Sequence, residues 1–196
     1  MELSWDNLHI AILCCRSCEL CHQRRYAVPG EGNRNADVMF IGEGPGQVED
    51  ETGRPFVGPA GQLLDRMLAA ISLDRSMVYI ANVVKCRPPR NRVPLPEEQR
   101  ACLDFLRAQF LLVRPKILVC LGSTAARAVI DPEMRITRSR GQWVQRKGVW
   151  MMATYHPSAL LRDETGVKKR EAWQDMKALR SRMKEMGIAP YDGEKQ

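Results

Sequence analysis

No apolar run in this chain of 196 residues approaches the ~20 residues that a membrane-spanning helix needs, so no membrane role is expected. The N-terminus, MELSWDNLHIAILCC, lacks a basic segment ahead of its brief apolar stretch, which excludes the pattern of a secretory signal. A cytoplasmic protein is therefore expected, a compartment in which structural disulfides are rare and grouped cysteines point to metal. The chain also has no internal repeat and no low-complexity tract. What it does have is length enough for one α/β domain with a sizeable core, over residues 1–196. Its formal net charge of +7 suits a polyanionic partner.

The rest of the chain is organised around Met39 to Gln62, MFIGEGPGQVEDETGRPFVGPAGQ. A short apolar run, Val38 to Ile41, enters a turn with Gly42, Gly44, Pro45 and Gly46. Acidic residues follow at Glu49, Asp50 and Glu51, then Phe56, and a helix opens near Pro59. Glycines let the backbone come close to a ligand, so a strand–glycine-turn–helix arrangement suits a binding pocket. This turn matches neither G-x-G-x-x-G nor G-x-x-x-x-G-K-[ST], and its carboxylates argue against a simple phosphate cradle.

Apolar strands are expected at Val38–Ile41, Val78–Val84, Ile117–Leu121 and Val149–Ala153. Helices are expected at Trp5–Cys15, Gly61–Ile71, from Pro96 to about Val113, after a Gly122-Ser123-Thr124 cap, and from Arg170 to Met186. Gly30 to Asn33 reads as a turn, and Arg135 to Arg146 as a basic segment. Strands alternating with helices imply a four-stranded parallel sheet covered on both faces. Such sheets bind ligands beyond the carboxyl ends of their strands. Glu43, Asn82, Ser123 and His156 stand at those four ends and converge on one rim.

Seven cysteines are present. Cys120, inside an apolar strand, reads as a core residue. The other six suit metal ligation, and four thiolates fit either zinc or an iron–sulfur cluster. The N-terminal frame is open, because Cys15/Cys18 and Cys18/Cys21 are both C-x-x-C.

Five motifs in this order resemble the family-4 uracil-DNA glycosylases, the iron–sulfur branch found in bacteria and archaea. They are GEGPGQVED (42–50), TGRPFVGPAGQLLD (52–65), ANVVKCRPPRNRVPLPEE (81–98) with Cys102 in register, LGSTAA (121–126) and HPSALLR (156–162). The resemblance runs from Cys15 to the C-terminal helix. It implies a four-stranded parallel sheet between helices and a [4Fe–4S] cluster. The family pattern C-x-x-C-x-L-x-x-x-R falls on Cys15, Cys18, Leu20 and Arg24. It thus selects Cys15, Cys18, Cys86 and Cys102 as ligands, makes segment 14–21 part of the cluster site and leaves Cys14 and Cys21 spare.

The implied reaction is hydrolysis of the N-glycosidic bond of deoxyuridine in DNA, releasing uracil and leaving an abasic site. The implied partner is uracil-containing DNA, single- or double-stranded, and the implied state a monomer. A glycosylase extrudes its target nucleotide and needs stacking, edge reading and leaving-group stabilisation. Phe56 would stack, Asn82 would pair with N3–H and O4, and Gly42 and Gly44 would let the base approach. His156 would bind O2 and stabilise the departing anion. Glu43 and Glu49 are both candidates to position water, because Gly44 stands where better-known relatives carry an aspartate. Gly46 stands where other branches place a bulky residue against the thymine methyl. Leu160 and Leu161 would wedge into the vacated stack. Arg162, with Arg87, Arg90, Arg92, Arg138 and Arg140, would meet phosphates.

Three other readings compete. A strand-cleaving lyase would need a nucleophilic lysine, for which Lys85 is near. A covalent uracil-DNA trap would need a histidine in the loop CRPPRNRVP, which has none. A uracil-DNA-binding or polymerase-accessory iron–sulfur protein would bind without turnover.

Overall fold

Four apolar segments form the sheet's centre: β2 (Val38–Gly42), β3 (Val78–Asn82), β4 (Ile117–Leu121) and β6 (Val149–Thr154). The computed structural model describes residues 3–188. In it these strands run parallel, in the order β3-β2-β4-β6. The uninterrupted apolar character of β2, β3 and β4 follows from burial on both faces. Val38 and Phe40 pack on one side with α3 (Pro59–Ala69) and α8 (Val167–Glu185). Met39 and Ile41 face the other, against α4 (Pro96–Val113) and α5 (Ser123–Val129). Cys120 is fully buried in that second layer as a core residue, and burial pushes its thiol up to about 12.

The sheet has six strands rather than four. A two-residue strand, β1 (Glu31–Gly32), pairs antiparallel with β3 where a turn is expected. At the other edge β5 (Trp143–Arg146) pairs antiparallel with β6 inside the expected basic segment. Its link is Lys147-Gly148, both at positive φ (48° and 81°), the two-residue turn that matches the twist of a hairpin. Trp143 and Val144 are partly buried, and Gln145 and Arg146 beside the turn are exposed.

The first helix, α1 (Trp5–Leu13), ends just ahead of the cysteine segment and packs on α4. Gly122, rather than Ser123 or Thr124, is the N-cap of α5, and no side chain caps that end. Two short helices arise at the sheet rim, α2 (Gln47–Thr52) from the acidic cluster and α7 (Pro157–Leu161) after His156. A third, α6 (Ile136–Ser139), precedes β5. Because β3 and β4 lie on opposite sides of β2, the connections leave β2 and β4 in opposite directions. Such a switch opens a crevice at the strand ends.

Candidate active site

That crevice is a cleft of about 890 Å³. Its walls include Glu43, Phe56, Asn82, Ser123, His156 and Leu161, so all four strand-end residues meet there. Gly44 and Gly46 line it too.

Asn82 ends β3, is 2% exposed, and among the described residues its Oδ1 has no hydrogen-bond partner. A buried amide acceptor without a donor costs about 1–3 kcal/mol, so this atom awaits a ligand donor. Gly42, its register partner on β2, is what makes room. A Cβ there would lie 2.4 Å from Asn82 Oδ1 and 2.4 Å from Phe56 Cζ.

Phe56 presents its ring across that gap, 5.6 Å from the His156 ring at a 35° tilt. Its backbone sits at φ 52°, a left-handed conformation costly for a bulky residue. The surroundings hold it there. Arg75 donates to the carbonyls of Pro55 and Phe56. Val57 and Gly58 N–H donate to Glu49 Oε1 at 2.9 and 2.8 Å.

Glu49 therefore has a different employment from the one expected. Its second oxygen accepts from Gly46 N–H at 3.1 Å, and the side chain is 8% exposed. Three backbone donors absorb the carboxylate, which clamps the glycine turn to the Phe56 loop. It also fills the space beside Gly46, where a Cβ would come within 2.8 Å of Glu49 Oε2. Glu43 has fewer partners. One oxygen accepts from the Thr124 hydroxyl across the switch point, and among the described residues the other has no hydrogen bond.

His156 is the N-cap of α7. Its Nδ1 accepts from Ser158 N–H at 3.2 Å and lies 2.8 Å from Ser158 Oγ, which places the ring proton on Nε2. Burial, and behind it the charge of Arg162, pushes His156 down to about 4. A neutral imidazole with an Nε2–H donor thus faces the cleft. Gly122, at φ 90°, permits the approach, since a Cβ there would stand 3.0 Å from His156 Cβ.

The paired leucines separate. Leu160 is 2% exposed and packs with Tyr155 and Ala172, so it is a core residue and not a wedge. Leu161 is 46% exposed at the cleft rim and is the one free to insert. Among the arginines, Arg92 is committed to a bidentate pair with buried Glu98 (2.7 and 2.8 Å). Arg140 is turned inward toward Asp175 and Glu171. Arg90, Arg138 and Arg162 are exposed, whereas Arg87 donates to Asn91.

Cys18 lies within electrostatic reach of Cys15 and Cys21, Cys86 within reach of Cys18 and Cys15, and Cys102 within reach of Cys86 and Cys18, all away from the cleft walls. Arg24 ties them together. It donates to Cys86 Sγ at 3.0 Å and to the carbonyls of Leu13 and Cys15. Lys85 N–H donates to Cys102 Sγ at 3.2 Å. Among the described residues no three of His, Cys, Asp or Glu converge tightly enough for a single ion.

Thr124 and Ser158 were not legible as site residues. Ser158, two positions after a histidine, carries a local signal of side-chain-to-backbone bonding. Thr124 carries none, because its partner Glu43 is 81 residues away.

The sequence pattern of the uracil DNA glycosylase superfamily matches residues 29–177. A type-4 uracil-DNA glycosylase of Thermotoga maritima is 45% identical over 177 residues, covering 88% of this chain and 91% of that one. The chain belongs to the type-4 uracil-DNA glycosylases. The type-4 protein of Archaeoglobus fulgidus is 47% identical over 166 residues (81% of this chain, 83% of that one). That of Sulfurisphaera tokodaii is 40% identical over 196 residues (95% and 86%). No helix among the described residues of this type-4 chain is long and apolar enough to cross a membrane.

Proposed function

We infer that this protein hydrolyses the N-glycosidic bond of deoxyuridine in DNA, as a monofunctional, monomeric, cytoplasmic enzyme of base-excision repair. The observation that carries the reading is the unpartnered Asn82 Oδ1 in a cleft walled by Phe56 and a neutral His156. Uracil, flipped out and stacked on Phe56, would give its N3–H to Oδ1 and take a hydrogen bond from Nδ2 at O4. His156 Nε2–H would meet O2. As the C1′–N1 bond breaks, its electron pair passes into the uracil ring, and the Nε2–H bond strengthens toward the developing anion. The sugar becomes oxocarbenium-like and takes up water, whose proton passes to Glu43. Glu49 holds the turn and the Phe56 loop in register. Leu161 fills the vacated stack. Alkaline cleavage of a uracil-containing oligonucleotide after incubation with the pure protein tests the activity; an uncleaved strand would refute it.

The lyase reading lacks a nucleophile. Lys85 Nζ is buried outside the cleft, donating to Asn82 O and Gln109 Oε1.

Cys15, Cys18, Cys86 and Cys102 fit a [4Fe–4S] cluster. A single tetrahedral ion with Zn–S bonds of about 2.3 Å would need tighter convergence than these residues show. Burial raises the Cys18, Cys86 and Cys102 thiols. The N–H groups of Arg24 and Lys85 that donate to Cys86 and Cys102 are the kind of hydrogen bond to sulfur that tunes such sites. Segment 14–21 would then be fastened to the loop after β3 within a single domain over 1–196. Anaerobically purified protein should contain about four irons per chain and absorb broadly near ~400 nm. Stoichiometric zinc without iron would overturn the assignment.

Phosphate contact falls to the exposed arginines at the rim. Arg162→Ala should weaken DNA binding across sequences and lower the log–log salt slope by about one unit. An unchanged slope would return Arg162 to the solvated surface.

A further inference from the structure

Lys85 is 1% exposed in the core, yet it takes no part in the chemistry. Its ammonium donates to the backbone carbonyl of Asn82 at 2.7 Å and to Gln109 Oε1 at 2.6 Å. Gln109, on α4 and also 1% exposed, uses its amide nitrogen twice, toward Pro29 O at 2.6 Å and the Tyr79 hydroxyl at 3.1 Å. Every polar atom of that amide is committed. A flipped amide would set NH₂ against the ammonium and oxygen against a carbonyl, so the network allows one orientation only.

The consequence falls on the peptide unit joining Asn82 to Val83. Its N–H is held by Gly42 O at 2.9 Å and its C=O by Lys85 Nζ. Both ends are therefore fixed, just where the chain leaves β3. Turning that unit changes ψ of Asn82 and re-aims the side chain whose Oδ1 is orphaned in the cleft. Strand pairing alone would fix one end.

We propose that Lys85 and Gln109 are positioning residues for base recognition, a buried pair that aims the Asn82 amide by clamping the carbonyl of its own peptide. The proposal rests on the reading of Asn82 as the base-contacting residue. Neither side chain touches the base, so their effect has to pass through Asn82, and a double-mutant cycle isolates it.

The experiment measures single-turnover uracil release from a uracil-containing oligonucleotide by cluster-loaded protein. Gln109→Met and Lys85→Met are each made alone and in an Asn82→Ala background, with iron content and melting temperature recorded. Gln109→Met is the variant remote from the cleft, and it keeps the test open if Lys85→Met does not fold. Each single variant should lower the rate about tenfold, the scale of one net hydrogen bond. In the Asn82→Ala background the same substitution should cost less than about twofold. An equal factor in both backgrounds, or no loss in the wild-type background, overturns the proposal. If Asn82→Ala itself releases uracil at the wild-type rate, base reading by Asn82 fails and this proposal falls with it.

Discussion

Asn82→Asp is expected to lose uracil excision steeply and to gain a trace of cytosine excision. Uracil offers a donor at N3 and an acceptor at O4; cytosine offers the reverse. On the proposed reading, the amide of Asn82, whose following peptide N–H is bonded to Gly42 O at the end of β3, satisfies both groups of uracil and opposes both of cytosine. Each mispaired buried group costs about 1–3 kcal/mol. Two of them give about 2–6 kcal/mol, a discrimination between uracil and cytosine of roughly 30-fold to 10⁴-fold at ~1.4 kcal/mol per tenfold. A carboxylate removes the donor to O4 and adds an acceptor for the cytosine amino group. The gain should be largest where cytosine is unpaired and costs least to extrude. Single-turnover assays on uracil- and cytosine-containing single strands measure both, and wild-type uracil release by the mutant would remove Asn82 from base reading.

His156→Ala should lower single-turnover release by about 10²-fold or more, the scale of one oxyanion donor. Melting temperature and iron content should hardly move, since the ring's own bonds are local ones to Ser158. The pH dependence carries a second signature. A histidine with the ordinary pKa near ~6.5 would be mostly charged at pH 5.5. Burial, and then Arg162, pushes His156 down to about 4. It thus stays neutral as pH falls from 8 to 5.5, and protonates only as pH approaches about 4. The wild-type rate should show no loss from this residue between pH 8 and 5.5. A limb near 6.5 that vanishes in His156→Ala would mean that the ring titrates normally and that the neutral-donor role is wrong.

How much of this was legible beforehand differs by kind of residue. The central strands announced themselves because burial on both faces demands apolar runs, and the rim residues because parallel sheets open at their carboxyl ends. The edge strand β5 did not. Its exposed residues lie at one end and not on one face, so WVQR shows no alternation beside the Lys147-Gly148 turn. Leu160 and Leu161 could not be told apart by composition, because a short helix turns one inward and its neighbour outward. Glu49 and Glu43 were equivalent as letters. What separates them is three backbone N–H groups around one and a single hydroxyl on the other, brought together by turns and distant strands. Family resemblance supplied the candidates in both pairs, and packing shows how their surroundings differ.

The orphaned oxygen of Asn82 also bears on what happens after the bond is broken. A protein that buries an acceptor with no donor is less stable empty than filled, and any molecule offering an N–H there is a thermodynamic ally of the folded state. Free uracil, the product, is such a molecule. On the proposed reading of Asn82, the feature that selects the substrate therefore also holds the released base. Clearing the pocket, rather than breaking the bond, then becomes a step on which repeated turnover depends.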